Sequence, residues 1–307
     1  VIIIPQSSAM AKVDLAREGD ILGNDAVPIA QRMRAVFLLK QESSPSAIDY
    51  LCRGISDPSV LLAHECCYVL GQLKDPYALP ALRLALANPT LDPVVRHEAA
   101  EAIGAIGLSD DVDYLRKFVN DRHIEVAETC QIAIALIEDR QQQQTNRGGC
   151  GRFDSVDPAL PAPVPAHAVD RPELQIAVWG ADLSNEQLPL SVRYKAMFAL
   201  RDNGSPSAVE ALCAAFSDRS SALFRHEIAY VLGQLQDPIS RDALVAVLKD
   251  KSEHEMVRHE AAEALGAIAD QESLSVLNEF ALDSDLIVKQ SCEVALDLYH
   301  HWNQEST

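Results

Sequence analysis

Four of the nine histidines in this chain are followed directly by a glutamate in a recurring setting: His64-Glu65, His97-Glu98, His226-Glu227 and His259-Glu260. Imidazole nitrogen and carboxylate oxygen are donors for borderline metal ions. Two His and one Glu with open positions form the ligand set of non-haem iron sites that activate oxygen, and no cysteine is needed. Spacing leaves the choice of carboxylate open. Glu98 and Glu260 adjoin their histidines, whereas Glu101 and Glu263 lie at i+4 and share the histidine face more closely. The plain alternative for Glu101 and Glu263 is a salt bridge on a solvated helix face. For the histidines it is a polar-tipped packing role, which a fourfold recurrence in register disfavours. His254-Glu255 has no counterpart, since Asp92 and Pro93 occupy the matching turn, and it is read as chance composition. His123, His167, His300 and His301 have no matching partners and are left out.

The register comes from an internal duplication. His64 to Ile106 aligns without a gap on His226 to Ile268, with 24 of 43 positions identical. The likeness extends to AVFLLK at Ala35 and AMFALR at Ala196, to SPSA at Ser44 and Ser205, and to EVAETCQIA at Glu125 and VKQSCEVAL at Val288. Within each half the two His-Glu pairs lie 33 residues apart, the length of a helical hairpin repeat. Apolar residues at spacings of three and four, such as Tyr68, Leu70 and Leu73 and then Ile103 and Ile106, predict helices. Asp-Pro steps at Asp57, Asp75, Asp92 and Asp237 predict the turns between them. Aromatic residues are only 5% and Gly numbers 13, a balance that favours packed helices over sheets.

The expected fold is therefore all-α. It is an α-solenoid of about four hairpins in each of two homologous halves, and its pattern resembles HEAT-type repeats. The expected division is residues 1–140, a flexible linker over 141–172 rich in Gln, Gly and Pro, and residues 173–307. A tether of that length lets the halves face each other across a central metal site. Stacked hairpins would set equivalent helices side by side at ~8–10 Å, so that two imidazoles converge on one ion in each half and a dinuclear centre results. Around it, Tyr68 and Tyr230 could orient a histidine or simply fill the core. Gly71, Gly104, Gly233 and Gly266 are expected to permit close helix contact. Arg96, Arg225 and Arg258 precede a histidine and are expected to hold carboxylates, with a surface pair as the usual outcome.

Composition bounds the remaining possibilities. The net charge of −19 excludes gripping a nucleic-acid backbone and suits a cationic partner, although solubility alone would also account for it. Seven cysteines without a CxxC read as reduced thiols of a cytoplasmic protein. The apolar run Val1 to Ile4 stops at Pro5, too short for a signal or a membrane span, so no membrane association is expected. Two other classes use the same features: a metal-free helical-repeat interaction scaffold, and a dinuclear zinc or manganese hydrolase.

The paired His-Glu motifs together with ALFRHE, YVLGQL, MVRHEAAEALGAIA, EVAETCQ and the SVDPA linker resemble the deoxyhypusine hydroxylase family, over nearly the whole chain. The resemblance implies a monooxygenase with a non-haem di-iron centre. It would use molecular oxygen to hydroxylate the deoxyhypusine side chain of translation initiation factor 5A to hypusine. Carried over motif by motif, it implies His64, His97 and Glu98 on one iron and His226, His259 and Glu260 on the other. Glu65 and Glu227 would sit beside the metals and engage the substrate amine. The chain departs from the pattern at Ala63, where the other His-Glu motifs carry Arg, and at its N-terminus.

Overall fold

Helix starts are encoded locally. The amide of Leu62 donates to Ser59 at 3.2 Å, that of Val94 to Asp92 at 2.9 Å and that of Phe224 to Ser221 at 3.0 Å. Each cap satisfies an amide that a first helical turn leaves open. The structure, a computed structural model, describes residues 13–143, 153 and 155–305, and for 143 and 301–305 the backbone alone. Among the described residues there are sixteen α-helices and no strand. The chain divides into two units, one running to Glu138 and the other from Asp139.

The helices of the first unit pair as hairpins: α1 (Leu15–Leu22) with α2 (Ile29–Glu42), α3 (Pro45–Gly54) with α4 (Val60–Leu73), α5 (Leu79–Ala87) with α6 (Pro93–Ile106), and α7 (Asp111–Leu115) with α8 (Ile124–Gln143). The last helix runs a little past the division. In the second unit the pairs are α9 (Pro172–Ser184) with α10 (Leu190–Asn203), α11 (Pro206–Ala214) with α12 (Ala222–Leu235), α13 (Arg241–Lys249) with α14 (Glu255–Ile268), and α15 (Gln271–Phe280) with α16 (Leu286–Glu305). This is the expected solenoid of helical hairpins. The second helices of successive hairpins form one layer, with α4 packed on α2 and α6, and α14 packed on α12 and α16. Because neighbours flank them on both sides, α4, α6, α12 and α14 are buried around most of their circumference. The His-Glu pairs on these helices are therefore taken out of water.

A repeated ionic bracket fixes the hairpin stacking. Arg32, Arg96, Arg193 and Arg258 each donate Nε to the carbonyl of the leucine ten residues earlier, at 2.9–3.1 Å. Each also pairs with the aspartate 25 residues later, namely Asp57, Asp121, Asp218 and Asp283. The leucine lies in the last turn of the first helix of the same hairpin and the aspartate sits in the loop of the next, so one guanidinium ties three segments. The expectation of surface pairs is corrected here: Arg96 and Arg258 are buried, as is Arg225, which pairs with Glu253 at 2.6 Å. A guanidinium emerging from a central helix at a stacking junction has little solvent to reach. In the first unit Ala63 and Leu91 stand at the positions of Arg225 and Glu253, so that junction has no equivalent ion pair.

The Pro-rich part of the expected linker lies along the second unit. Arg201, fully buried, grips Asp157 through both nitrogens at 2.8 and 2.7 Å and stacks on Phe153 and Phe198. Gln234 donates to Ser155 at 3.0 Å, and the amide of Ala162 donates to the carbonyl of Lys195 at 2.8 Å. Residues 144–152 and 154 lie outside the described residues. No described helix is long and apolar enough to cross a membrane. The six described cysteines are free thiols, and Cys150 lies outside the described residues.

Burial raises the Asp283 carboxyl, but the Arg258 guanidinium outweighs it and holds the group below the ordinary range. Arg258→Ala strands that carboxylate and is expected to cost about 3 kcal/mol at pH 7. A depressed pKa contributes stability that is present above the unfolded value and lost as pH falls through the folded one. The deficit of Arg258→Ala should therefore shrink below about pH 4, the unfolded carboxyl range. Urea unfolding of both proteins at pH 7 and pH 3 measures it, and an equal deficit at both values would contradict the bracket.

Candidate metal centre

His64 and Glu65 lie in the middle of α4, and His97 and Glu98 at the equivalent turn of α6. The α4–α6 crossing is closed by small residues: a Cβ on Gly71 would meet the Cα of Ala102 at 2.8 Å. That approach brings the His64 and His97 rings to a centroid separation of 5.6 Å with a 44° tilt. The second unit reproduces the arrangement on α12 and α14, where His226 and His259 stand 5.4 Å apart with a 46° tilt. The repetition follows from equivalent hairpin positions stacking side by side, as the internal period requires.

Carboxylates complete each pair. Glu98 Oε2 lies 3.2 Å from His64 Nε2, and Glu260 Oε2 lies 3.5 Å from His226 Nε2. In both units, then, the glutamate following the second histidine faces the Nε2 edge of the first. Donor atoms of His226, His259 and Glu260 all lie within 4.8 Å of one another, as do those of His97, Glu98 and Glu101. Glu65 and Glu227 are buried on the same helices as His64 and His226. Glu65 Oε1 sits 3.5 Å from the other edge of its imidazole, His64 Nδ1. Although burial alone would lower it, the His64 pKa is held well above its ordinary value by the Glu98 and Glu65 carboxylates.

The two glutamates at i+4 behave differently from each other. Glu101 is half-buried and its donor atom belongs to the cluster with His97 and Glu98. Glu263 is buried, at 4% exposure, so the reading of a solvated salt bridge fails there. The layer position of α14 between α12 and α16 removes the solvent that reading assumed. Its Oε1 lies 3.6 Å from His259 Nδ1 and accepts the Ser291 hydroxyl at 3.3 Å. Ser291 escaped the sequence analysis; the hydroxyl at the matching Thr129 was the available signal. Tyr230 Oη accepts from Gln234 Nε2 at 3.1 Å, and the Tyr68 ring lies under Lys40 at 5.9 Å. His254 caps α14 by accepting the amide of Met256 at Nδ1, a structural use in keeping with its lack of a counterpart.

The donor chemistry fits a metal ion. Buried carboxylates facing imidazole nitrogens are costly to desolvate unless a cation compensates them. Mixed imidazole and carboxylate donors suit iron, zinc or manganese, and they do not suit the purely oxygen preference of calcium or magnesium. His64, His97, Glu98 and Glu101 could hold one ion, and His226, His259 and Glu260 another.

The family model for HEAT repeats matches residues 48–135, 186–255 and 222–297. The chain is 47% identical over 284 residues to deoxyhypusine hydroxylase-B of Oryza sativa subsp. japonica, covering 92% of this chain and 91% of that protein. It is 44% identical over 285 residues to deoxyhypusine hydroxylase of Rattus norvegicus, covering 93% and 91%. Among solved structures, human deoxyhypusine hydroxylase in complex with glycerol matches with a TM-score of 0.87 at 42% identity, over 94% of this chain and 96% of that one.

The helix contact that sets the imidazole spacing is testable without reference to activity. Gly71→Val inserts a branched side chain where even a Cβ meets backbone, so α4 and α6 must separate. The expected outcome is weaker metal uptake by the first unit with uptake by the second retained, read by equilibrium dialysis against cobalt(II). Undiminished uptake by both units would show that the small-residue crossing does not set the site.

Proposed function

The chain belongs to the deoxyhypusine hydroxylase family, and from that premise we propose that it hydroxylates the deoxyhypusine side chain of translation initiation factor 5A to hypusine, with two non-haem irons and molecular oxygen. The observation that carries the reading is the matched pair of buried imidazole couples, each with a glutamate oxygen within 3.5 Å of an Nε2. His64, His97 and Glu98 would hold one iron, and His226, His259 and Glu260 the other. Each set leaves positions open for a small ligand. When bound, iron would supply the activation of oxygen, one atom entering a C–H bond and the other leaving as water with two electrons and two protons from an external reductant and solvent.

The chain's own residues would bind and orient. Deoxyhypusine is a long cationic amine, and an ammonium that approaches Glu65 or Glu227 would meet a carboxylate already stripped of most of its water. Desolvated carboxylates pair an ammonium more strongly than exposed ones, so the reactive carbon would be held at a set distance from the metals. Glu65 has a second use, because its Oε1 faces His64 Nδ1 and orients that ring. The surplus of acidic side chains would favour encounter with a basic substrate surface. A cytoplasmic location and the division into halves at 1–140 and 173–307 belong to the same reading.

Metal analysis together with a hydroxylation assay tests the proposal. The wild-type chain is expected to hold two irons and to convert deoxyhypusine. His97→Ala and His259→Ala should each lower the iron content and abolish turnover; full activity in either would refute the ligand assignment. A chain that carries zinc and only hydrolyses, or one that takes up no metal, would favour the hydrolase or the scaffold instead.

The two remaining glutamates separate capture from metal binding. Glu227→Ala is expected to keep both irons and raise the KM for the protein substrate. Glu65→Ala should raise KM as well, and should also loosen the first unit's iron through the freed His64 ring. Unchanged KM in both variants would remove the substrate-binding role.

A further inference from the structure

We propose that Glu263, steadied by Ser291, is a positioning residue for His259: as the acceptor facing Nδ1–H it keeps the proton on that nitrogen and turns the Nε2 lone pair toward the metal. The inference rests on the metal reading above and assigns a role to two residues outside the proposed ligands.

Three observations support it. Glu263 follows His259 by one helical turn on α14, and its Oε1 lies 3.6 Å from Nδ1 while Ser291 donates to the same oxygen at 3.3 Å. The trio is enclosed, with His259 and Ser291 at 0% exposure and Glu263 at 4%, so water does not compete for the carboxylate. Ser291 reaches Glu263 because α14 and α16 pack at contact distance: a Cβ on Gly266 would meet the Cβ of Ala295 at 2.5 Å.

Chemistry then assigns the two edges of the ring. A neutral imidazole carries its proton on one nitrogen and its lone pair on the other, and a carboxylate beside Nδ1 selects the tautomer with the lone pair on Nε2. Glu260 belongs to the cluster with His226 and His259, its Oε2 on the Nε2 side of His226, whereas Glu263 lies outside that cluster and approaches Nδ1 of His259. Glu263 is thus a poor candidate for a ligand and a good one for a bracket. The first unit places a carboxylate behind a different histidine, with Glu65 facing His64 Nδ1, and its Thr129 hydroxyl donates to the Glu125 carbonyl at 2.8 Å.

The test is cobalt(II) titration of the metal-free full-length chain, followed by ligand-field absorption and accompanied by thermal melts without metal. Wild type should bind two ions. Glu263→Ala should weaken one of the two sites at least about tenfold, whereas Glu263→Gln, whose amide oxygen still accepts from Nδ1, should return it to within about threefold. Ser291→Ala should fall between, which keeps the test open if Glu263→Ala fails to fold. Two wild-type sites in Glu263→Ala, Glu263→Gln as poor as Glu263→Ala, or a complete loss equal to that in His259→Ala would each overturn the bracket while leaving the metal reading intact. A wild-type chain that binds no cobalt would instead overturn the metal reading and the bracket with it.

Discussion

In each half, two imidazoles and a carboxylate share one water-poor pocket between neighbouring helices, and the surrounding structure is arranged to make that tolerable. Burying such groups costs free energy unless they face one another or a cation. They can face one another only if the helix axes approach closely. Gly71 on α4 with Ala102 and Ala105 on α6 provides that approach in the first half, leaving no room for even a methyl group on Gly71, and α14 likewise carries the buried Ala261, Ala262 and Ala264. Small side chains at these turns exchange apolar contact area for proximity, and proximity is what a shared ion requires.

The Arg–Asp brackets address a different problem, the register of successive hairpins. Apolar contact between helices is non-directional and would tolerate sliding. A guanidinium that must meet a leucine carbonyl on one side and an aspartate on the other admits one alignment. Four brackets repeat with the same spacings, and the partners named for them are leucine carbonyls and aspartates rather than the paired histidines. Where the halves differ, at Ala63 with Leu91 against Arg225 with Glu253, both partners have changed together. A charge left alone at that buried junction would be worse than either complete solution.

Much of this was legible in the residues. Helices follow from apolar spacing, their starts from Ser59, Asp92 and Ser221, and the paired sites from His-Glu dipeptides that recur at one offset. The resemblance carried by the motifs supplied the ligand sets that spacing alone left open between Glu98 and Glu101, or Glu260 and Glu263. The reading of Glu263 as a solvated residue failed because an i+4 position names a helix face but not what covers it. For Glu263 the cover is α16, through Ser291 and the contact of Gly266 with Ala295. The arginines before the histidines were misjudged for the same reason, their partners lying 25 or 28 residues onward in the loop of the next hairpin.

The sequence by itself determined the helical period, the hairpin length, the duplication and the placement of a histidine beside a glutamate at equivalent turns, because each of these is a local or repeating property of the chain. Only the tertiary structure decided which edge of each imidazole meets which carboxylate and which charges lose their water. Those outcomes depend on axis separations of a few ångströms, and such separations are set by side chains on neighbouring helices whose spacing in sequence carries no signal of contact.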